Sequence, residues 1–173
     1  MPSRLLRSLV LLPLVLVTPT VVGLAQENSL TLFTQAVDAR NRGDLDGVMA
    51  SFAEDAVRQD GSCPTGCSGV AELRRTFQDN IDEHFHATVL DARMPGDTTV
   101  LARAELRSDR FRALGAERVL SNFTIELRDR KIVRWASTLD SADEQTAAFM
   151  AALRAQTAQV APAPAPVQLP RRA

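Results

Sequence analysis

Acidic and imidazole side chains near the ends of the predicted strands are the residues whose types could support catalysis. Asp140 directly follows the last predicted strand. An aspartate in an apolar pocket has a raised pKa and can act as a general acid or base. His86 is a candidate second base, and His84 is expected on the same strand face. A metal site needs at least a third ligand, and the nearby acids in the sequence are Asp82 and Glu83. The sequence therefore predicts catalytic candidates but no metal.

Each candidate also has a purely structural interpretation. Asp140 directly precedes Ser141, which with Glu144 matches a capping box at the start of the last predicted helix, and the helix dipole favours an aspartate there. Arg103 shares a predicted strand face with Glu105. That pair either joins Asp140 in a site of arginine and acid or lies on a solvated outer face of the sheet. The alternative for the histidines is an ordinary surface or rim position.

The register of the last predicted hairpin decides which side of the sheet Asp140 occupies. A two-residue turn at 129–130 pairs Asp140 with Val119 and puts it on the face of Phe123. A three-residue turn pairs it with Leu120 and puts it on the opposite, polar face. Because a shift by one residue reverses every side chain, the sequence alone leaves both positions open.

Residues 1–25 have the three parts of a secretory signal peptide. Two arginines near the N-terminus precede an apolar run rich in Leu and Val, and Gly23 and Ala25 are small residues ahead of a cleavage site. The apolar run is shorter than a membrane span and contains prolines, although an uncleaved anchor is the alternative. We expect cleavage after Ala25, a mature chain that begins at Gln26 and has no stable membrane span, and a secreted or periplasmic location.

Cys63 and Cys67 lie in the sequence Cys-Pro-Thr-Gly-Cys and are the two cysteines of the chain. After export, an isolated pair most often forms a disulfide, and the intervening proline and glycine allow the tight loop that it requires. A redox pair and part of a zinc site are the alternatives. A thioredoxin-type pair has a shorter spacing, and zinc requires further ligands, so the sequence favours a structural disulfide.

Hydrophobic periodicity predicts helices before and after a run of strands. Apolar residues recur at helical spacing after Ser29, after Asp44, from Val70 and after Ser141. They alternate with polar residues over 85–90, 100–107, 119–127 and 131–139, and a further short strand is expected over 56–59. A loop rich in Gly, Ser and Pro is expected over 60–69. This order of elements predicts an α+β fold.

The C-terminal segment 156–173 differs in composition from the rest of the chain. It contains a run of alternating alanine and proline and ends in two arginines and an alanine. A segment of this composition cannot bury a core, and we expect a disordered tail. The folded domain is therefore predicted over 27–155, which is long enough for a substantial core.

Several segments resemble the SnoaL-like branch of the NTF2-like superfamily, namely 32–46, 52–57, 69–74 and 127–140. Together they extend over most of 29–149. Arg130 departs from the pattern, because the family usually has glycine in this hairpin turn, where a two-residue type I′ turn requires positive φ. The resemblance implies an NTF2-like cone, which is a curved antiparallel sheet wrapped around helices with a conical pocket, often in a dimer.

The resemblance leaves the activity open, because relatives include polyketide cyclases, ketosteroid isomerases, epoxide hydrolases and binding or scaffold domains. We expect an exported domain that binds a small apolar ligand in its pocket and uses no cofactor. One alternative is a cofactor-independent enzyme of the cyclase, isomerase or hydrolase kind that uses Asp140 as acid or base, with His86. The other is a dimerisation or scaffold module. The chain has no tyrosine, which excludes an oxyanion hole built on a tyrosine.

Aromatic side chains are the candidate ligand-binding residues, and a core position is the alternative for each of them. The expected partners are a small apolar ligand and, as an open alternative, a second copy of the chain. The net charge of the chain is −1, so the chain lacks the excess of basic residues that is typical of nucleic-acid-binding proteins. The candidate ligand-binding residues are Phe33, Phe52, Phe77, Phe123 and Trp135.

Overall fold

The computed structural model describes the backbone of residues 22–160 and the side chains of residues 29–157. Most of the predicted signal segment and of the predicted tail lies outside these residues. The helices are α1 (Val22–Asn41), α2 (Leu45–Ala50), α3 (Val70–Asp82), α4 (Asp109–Ala113) and α5 (Glu144–Val160). The strands are β1 (Phe52–Asp60), β2 (Cys63–Ser68), β3 (His86–Arg93), β4 (Thr99–Arg107), β5 (Val119–Arg128) and β6 (Lys131–Leu139).

The helix boundaries differ from the sequence prediction at both ends of the domain. Helix α1 begins at Val22 rather than at a cap on Ser29, and α5 continues past the predicted boundary at 156. Helix α4 was not predicted, because its five residues are too few to show a helical period. Its N-terminus is capped by Ser108, whose hydroxyl accepts a hydrogen bond from the backbone N–H of Phe111. Among the helices that the structure describes, none is long and apolar enough to cross a membrane.

The strands form one curved six-stranded sheet in the order β2-β1-β6-β5-β4-β3. All neighbours are antiparallel except β1 and β6, which pair in parallel. The sheet does not close, and the helices pack on it in an α+β arrangement. The predicted fold class is therefore confirmed.

The segment predicted as a cysteine-containing loop instead forms the turn and β2, which pairs with β1 as a hairpin, and the short strand predicted over 56–59 lies within β1. Cys67 pairs with Arg58 and Cys63 with Asp60 across the ladder. The predicted disulfide between Cys63 and Cys67 is present, with Cα atoms 5.5 Å apart. Asp60 also fixes the turn, because its Oδ1 accepts hydrogen bonds from the backbone N–H groups of Ser62 (2.8 Å) and Cys63 (3.2 Å). These constraints hold a segment rich in Gly and Pro in extended form despite its low strand propensity.

An aromatic cluster centred on Trp135 forms the core between the sheet and the helices. The Trp135 ring lies 5.6–6.1 Å, centroid to centroid, from four phenylalanine rings. Such pairs contribute about 0.5–1.5 kcal/mol each beyond the burial of their apolar area. The four rings come from α1, β1, α3 and β5, so the cluster fixes the helices onto the sheet. They are Phe33, Phe52, Phe77 and Phe123.

The hairpin of β5 and β6 combines a two-residue turn with a bulge. Asp129 and Arg130 both have positive φ, 52° and 59°, as a type I′ turn requires. The register then shifts, because Leu127 pairs with Ile132 whereas Glu126 pairs with Arg134. Val133 is the extra residue of this bulge, and every later residue of β6 is moved by one position.

Candidate functional site

The sheet and the helices packed on it surround a cavity of about 110 Å³. A dry cavity of about 150 Å³ can hold a benzene ring, so this smaller cavity limits an enclosed ligand to a short chain or at most one small ring. Most of its wall is apolar. Three phenylalanine rings in the wall contact one another in sequence: the Phe85 and Phe111 centroids are 6.1 Å apart, and the Phe111 and Phe149 centroids are 5.1 Å apart. Leu106 of β4 and Leu153 of α5 complete this wall.

Arg58 is a buried cation in the cavity wall whose hydrogen bonds are satisfied by the protein itself. Its Nε donates to Oδ2 of Asp60 at 2.7 Å. Its Nη2 donates to Oδ1 of Asn80 at 2.7 Å, and its Nη1 donates to the hydroxyl of Thr76 at 3.2 Å. The guanidinium also lies 4.4 Å from the centroid of Phe77. Arg58 and Asp60 therefore form a neutral pair with side chains only 3% and 9% exposed.

Arg40, in the last turn of α1, is a second buried cation and lines the same cavity. It is 3% exposed, and its guanidinium lies 4.2 Å from the centroid of Phe85 and 5.6 Å from that of Trp135. Within the part of the chain that the structure describes, its Nε and Nη2 have no hydrogen-bond partner. Buried donors are almost always paired, so Arg40 is an exception that requires an explanation.

Burial and, to a lesser extent, the charge of Arg58 lower the pKa of Arg40 to about 9, and the charge of Asp60 opposes part of this change. Arg40 is therefore charged at neutral pH. The other charged residues that line the cavity are Glu83 and Arg110. Three arginines and two carboxylates thus line the cavity, so the lining has a formal charge of +1.

The structure places Asp140 outside this cavity. Its backbone N–H donates to the carbonyl of Leu120 at 2.8 Å, so it occupies the polar-face register that the sequence analysis assigned to a three-residue turn. The turn itself has two residues. The extra residue of the bulge in β6 shifts the pairing of β6 with β5 by one position and so gives the same register as a three-residue turn. The Asp140 carboxylate accepts hydrogen bonds from Arg103 (2.7 Å) and from the backbone N–H of Ala142 (3.1 Å). These contacts are structural and give the catalytic assignment no support.

His84 and His86 do not share a strand face, contrary to the sequence analysis. His84 has a positive φ of 51° and lies before β3. Its side chain is 78% exposed, and its Nδ1 is 2.7 Å from Oδ2 of Asp109. His86 is exposed on β3, where it pairs with Arg107 of β4, and it does not line the cavity. No cluster of residues suited to a metal is found among those the structure describes.

One of the predicted ligand-binding aromatics, Phe123, lines the cavity. The other four pack around or within the core cluster behind it. Arg40 and Arg58 were not predicted as site residues, although their spacing in the sequence indicates that both are buried. Arg40 follows Phe33 and Val37 at helical spacing, and Arg58 follows Ala56 at the strand period. Each cation therefore occupies a position where the local pattern requires an apolar residue.

The sequence matches the SnoaL-like domain over residues 33–135, and the chain belongs to this family. The family is a branch of the NTF2-like superfamily, which confirms the resemblance of the sequence segments. No curated protein matches the chain.

Solved structures with the same fold include enzymes and a protein of unknown function. An LEH-like epoxide hydrolase of M. tuberculosis is 17% identical with a TM-score of 0.57, and the match covers 78% of this chain and 98% of that one. The epoxide hydrolase/cyclase-like enzyme SalBIII, which acts in pyran ring formation in salinomycin, is 17% identical with a TM-score of 0.60 and coverage of 68% and 94%. An NTF2-like protein of unknown function from Cytophaga hutchinsonii is 11% identical with a TM-score of 0.54 and coverage of 66% and 91%. At these identities the likeness shows the fold alone.

Proposed function

We propose that this protein binds a small, mainly apolar molecule in the cavity between its sheet and its helices. The observation that carries the proposal is the cavity itself, with its wall of Phe85, Phe111, Phe149 and aliphatic residues and a few buried polar groups. Ligand sites have this composition, with apolar walls and a small number of polar groups that orient the ligand. A scaffold module whose cone is filled by its own side chains would not need such a space.

Binding can be followed through Trp135, the single tryptophan of the chain. Its ring contacts Phe123, which lines the cavity, so a ligand that reaches the wall should change its fluorescence. The probe is benzamide, a neutral ring of suitable size. Ser137→Leu should abolish the change, because Ser137 lines the cavity and a larger side chain there fills it.

Thr138→Leu is the matched control, because the next residue of β6 points to the other face of the sheet and is exposed. This variant should bind benzamide like the wild type. Equal binding by the wild type and by Ser137→Leu would place the ligand elsewhere and contradict the proposal.

A cofactor-independent hydrolase or cyclase is the second candidate function. One observation favours it: Asp60 is a carboxylate in the cavity wall, 9% exposed and held by Arg58. For this function we therefore propose Asp60 as the catalytic carboxylate, because Asp60 lines the cavity and Asp140 does not. Styrene oxide is a suitable test substrate, because two of the structural neighbours are named for epoxide chemistry. Diol formation by the wild type but not by Asp60→Asn would support an enzyme, and no diol with either protein would leave binding as the proposed function.

Export also belongs to the proposal. The Cys63–Cys67 disulfide supports it, because disulfides persist mainly in oxidising compartments. Dimerisation stays a prediction, and light scattering of the purified protein would give the mass in solution.

A further inference from the structure

We infer that the ligand of the cavity is a small carboxylic acid whose carboxylate pairs with Arg40. This inference rests on the proposed binding function and names the class of ligand. The unpartnered atoms of Arg40 are Nε and Nη2. Parallel N–H groups of a guanidinium form the fork that holds both oxygens of a carboxylate. The atoms left free are therefore a matching pair rather than scattered donors.

The charges around Arg40 leave room for one anion. On β1, Arg58 repels the Arg40 cation, and the Asp60 carboxylate is already bound by Arg58 and by two backbone N–H groups. Glu83 and Arg110, the other charged residues of the lining, offset one another in formal charge. A bound water would satisfy the donors of Arg40 but not its charge, whereas a carboxylate satisfies both.

The position of Arg40 also limits the shape of the acid. The guanidinium stacks on Phe85, which continues through Phe111 and Phe149 into the apolar wall. A ligand with its carboxylate at Arg40 therefore has its apolar body against these three rings. The cavity of about 110 Å³ limits this body to at most about one ring, as in a short branched or a small aromatic monocarboxylic acid.

The test compares benzoate with benzamide, which have similar shapes and differ in charge. Isothermal titration calorimetry of the wild type should give at least about tenfold tighter binding of benzoate, because hydrogen bonds to charged groups are the stronger ones. In Arg40→Met this preference should disappear while benzamide still binds. Arg42→Met, an exposed arginine just after α1, is the matched control and should retain the preference.

The outcomes separate this inference from the proposed function. If the wild type binds benzamide as tightly as benzoate, or if Arg40→Met keeps the preference, the carboxylate assignment is wrong and binding of an apolar ligand stands. If neither compound binds the wild type, both the assignment and the proposed function fail. The comparison within the wild type requires no variant, so equal affinity for the two compounds overturns the carboxylate assignment even if Arg40→Met does not fold.

Discussion

Replacing Arg40 by methionine should stabilise the protein in the absence of ligand. The pKa of Arg40 is lowered to about 9 from the ordinary value of an arginine, which at about 1.4 kcal/mol per pH unit corresponds to about 5 kcal/mol of cost for holding the cation in the folded state. The contact with Phe85, at 4.2 Å, offsets about 2 kcal/mol of this cost, as expected for a desolvated cation–π pair. Because methionine retains much of the apolar stem, the net gain should be about 3 kcal/mol, within the range measured for replacing buried charges by apolar residues.

Thermal unfolding followed by circular dichroism measures this effect. For a domain of this size the gain corresponds to a rise in melting temperature of about 6–12 °C. Buffers without acetate, citrate or other small carboxylates are required, because an anion that binds the folded wild type would stabilise it and mask the difference. Arg42→Met should stay within about 0.5 kcal/mol of the wild type, since it changes an exposed residue.

The difference in unfolding free energy between Arg40→Met and the wild type should also depend on pH, and it should decrease at high pH. Below pH about 9, Arg40 is charged in both the folded and the unfolded wild type, and the cost is constant. As the pH rises above about 9, the folded state releases the Arg40 proton before the unfolded state does, and the cost is relieved. The advantage of the variant should therefore be full at neutral pH and should decrease above about 9. A variant that is less stable than the wild type by more than about 1 kcal/mol would refute this reasoning, because Arg40 would then have a partner in the free protein.

Further predictions concern the residues around the cavity and the ends of the chain. Reducing the Cys63–Cys67 disulfide should cost about 2 kcal/mol of unfolding free energy, given its short ring, measured by melts with and without reductant. Asp140→Asn should leave benzoate affinity unchanged in calorimetry, since Asp140 lies outside the cavity. Asp143→Ala should lower the melting temperature, because Asp143 caps α5; its hydrogen bonds to Thr146 lower its pKa from 3.8. That contribution is present above pH 3.8 and lost as pH falls through the lowered value, which an acid titration of the variant and wild type would show. N-terminal sequencing of exported protein should begin at Gln26.

The main strands and helices could be predicted from the sequence because their patterns are local. Alternation over β4, β5 and β6 and the helical spacing in α3 reflect burial on one side of each element. The hairpin of β1 and β2 could not be predicted in this way. Its second strand contains Pro64 and Gly66, which disfavour a strand. The disulfide and the hydrogen bonds from the turn to Asp60 hold this strand extended. Neither constraint produces a periodic pattern of apolar residues in the sequence.

The position of Asp140 shows that a single extra residue in a strand can decide which face of the sheet a candidate site residue occupies. The turn at Asp129 and Arg130 has the two residues that would have put Asp140 on the side of Phe123. The bulge at Val133 then moves the rest of β6 by one position, and the carboxylate faces Arg103 instead. A bulge of this kind has no clear sequence signature, so the assignment of Asp140 to a pocket could not be tested before the backbone was known.

The two buried arginines of the cavity provide an internal comparison. Both lie at positions where the local pattern requires an apolar residue, and both stack on a phenylalanine. Each guanidinium nitrogen of Arg58 has a protein partner, so the fold accounts for its charge. Arg40 lies in the same environment with Nε and Nη2 unpaired, and its contact with Phe85 offsets only part of the cost of burying its charge. Since residues that break local rules without compensation are expected at functional sites, this asymmetry assigns Arg58 to the scaffold of the cavity and Arg40 to its ligand.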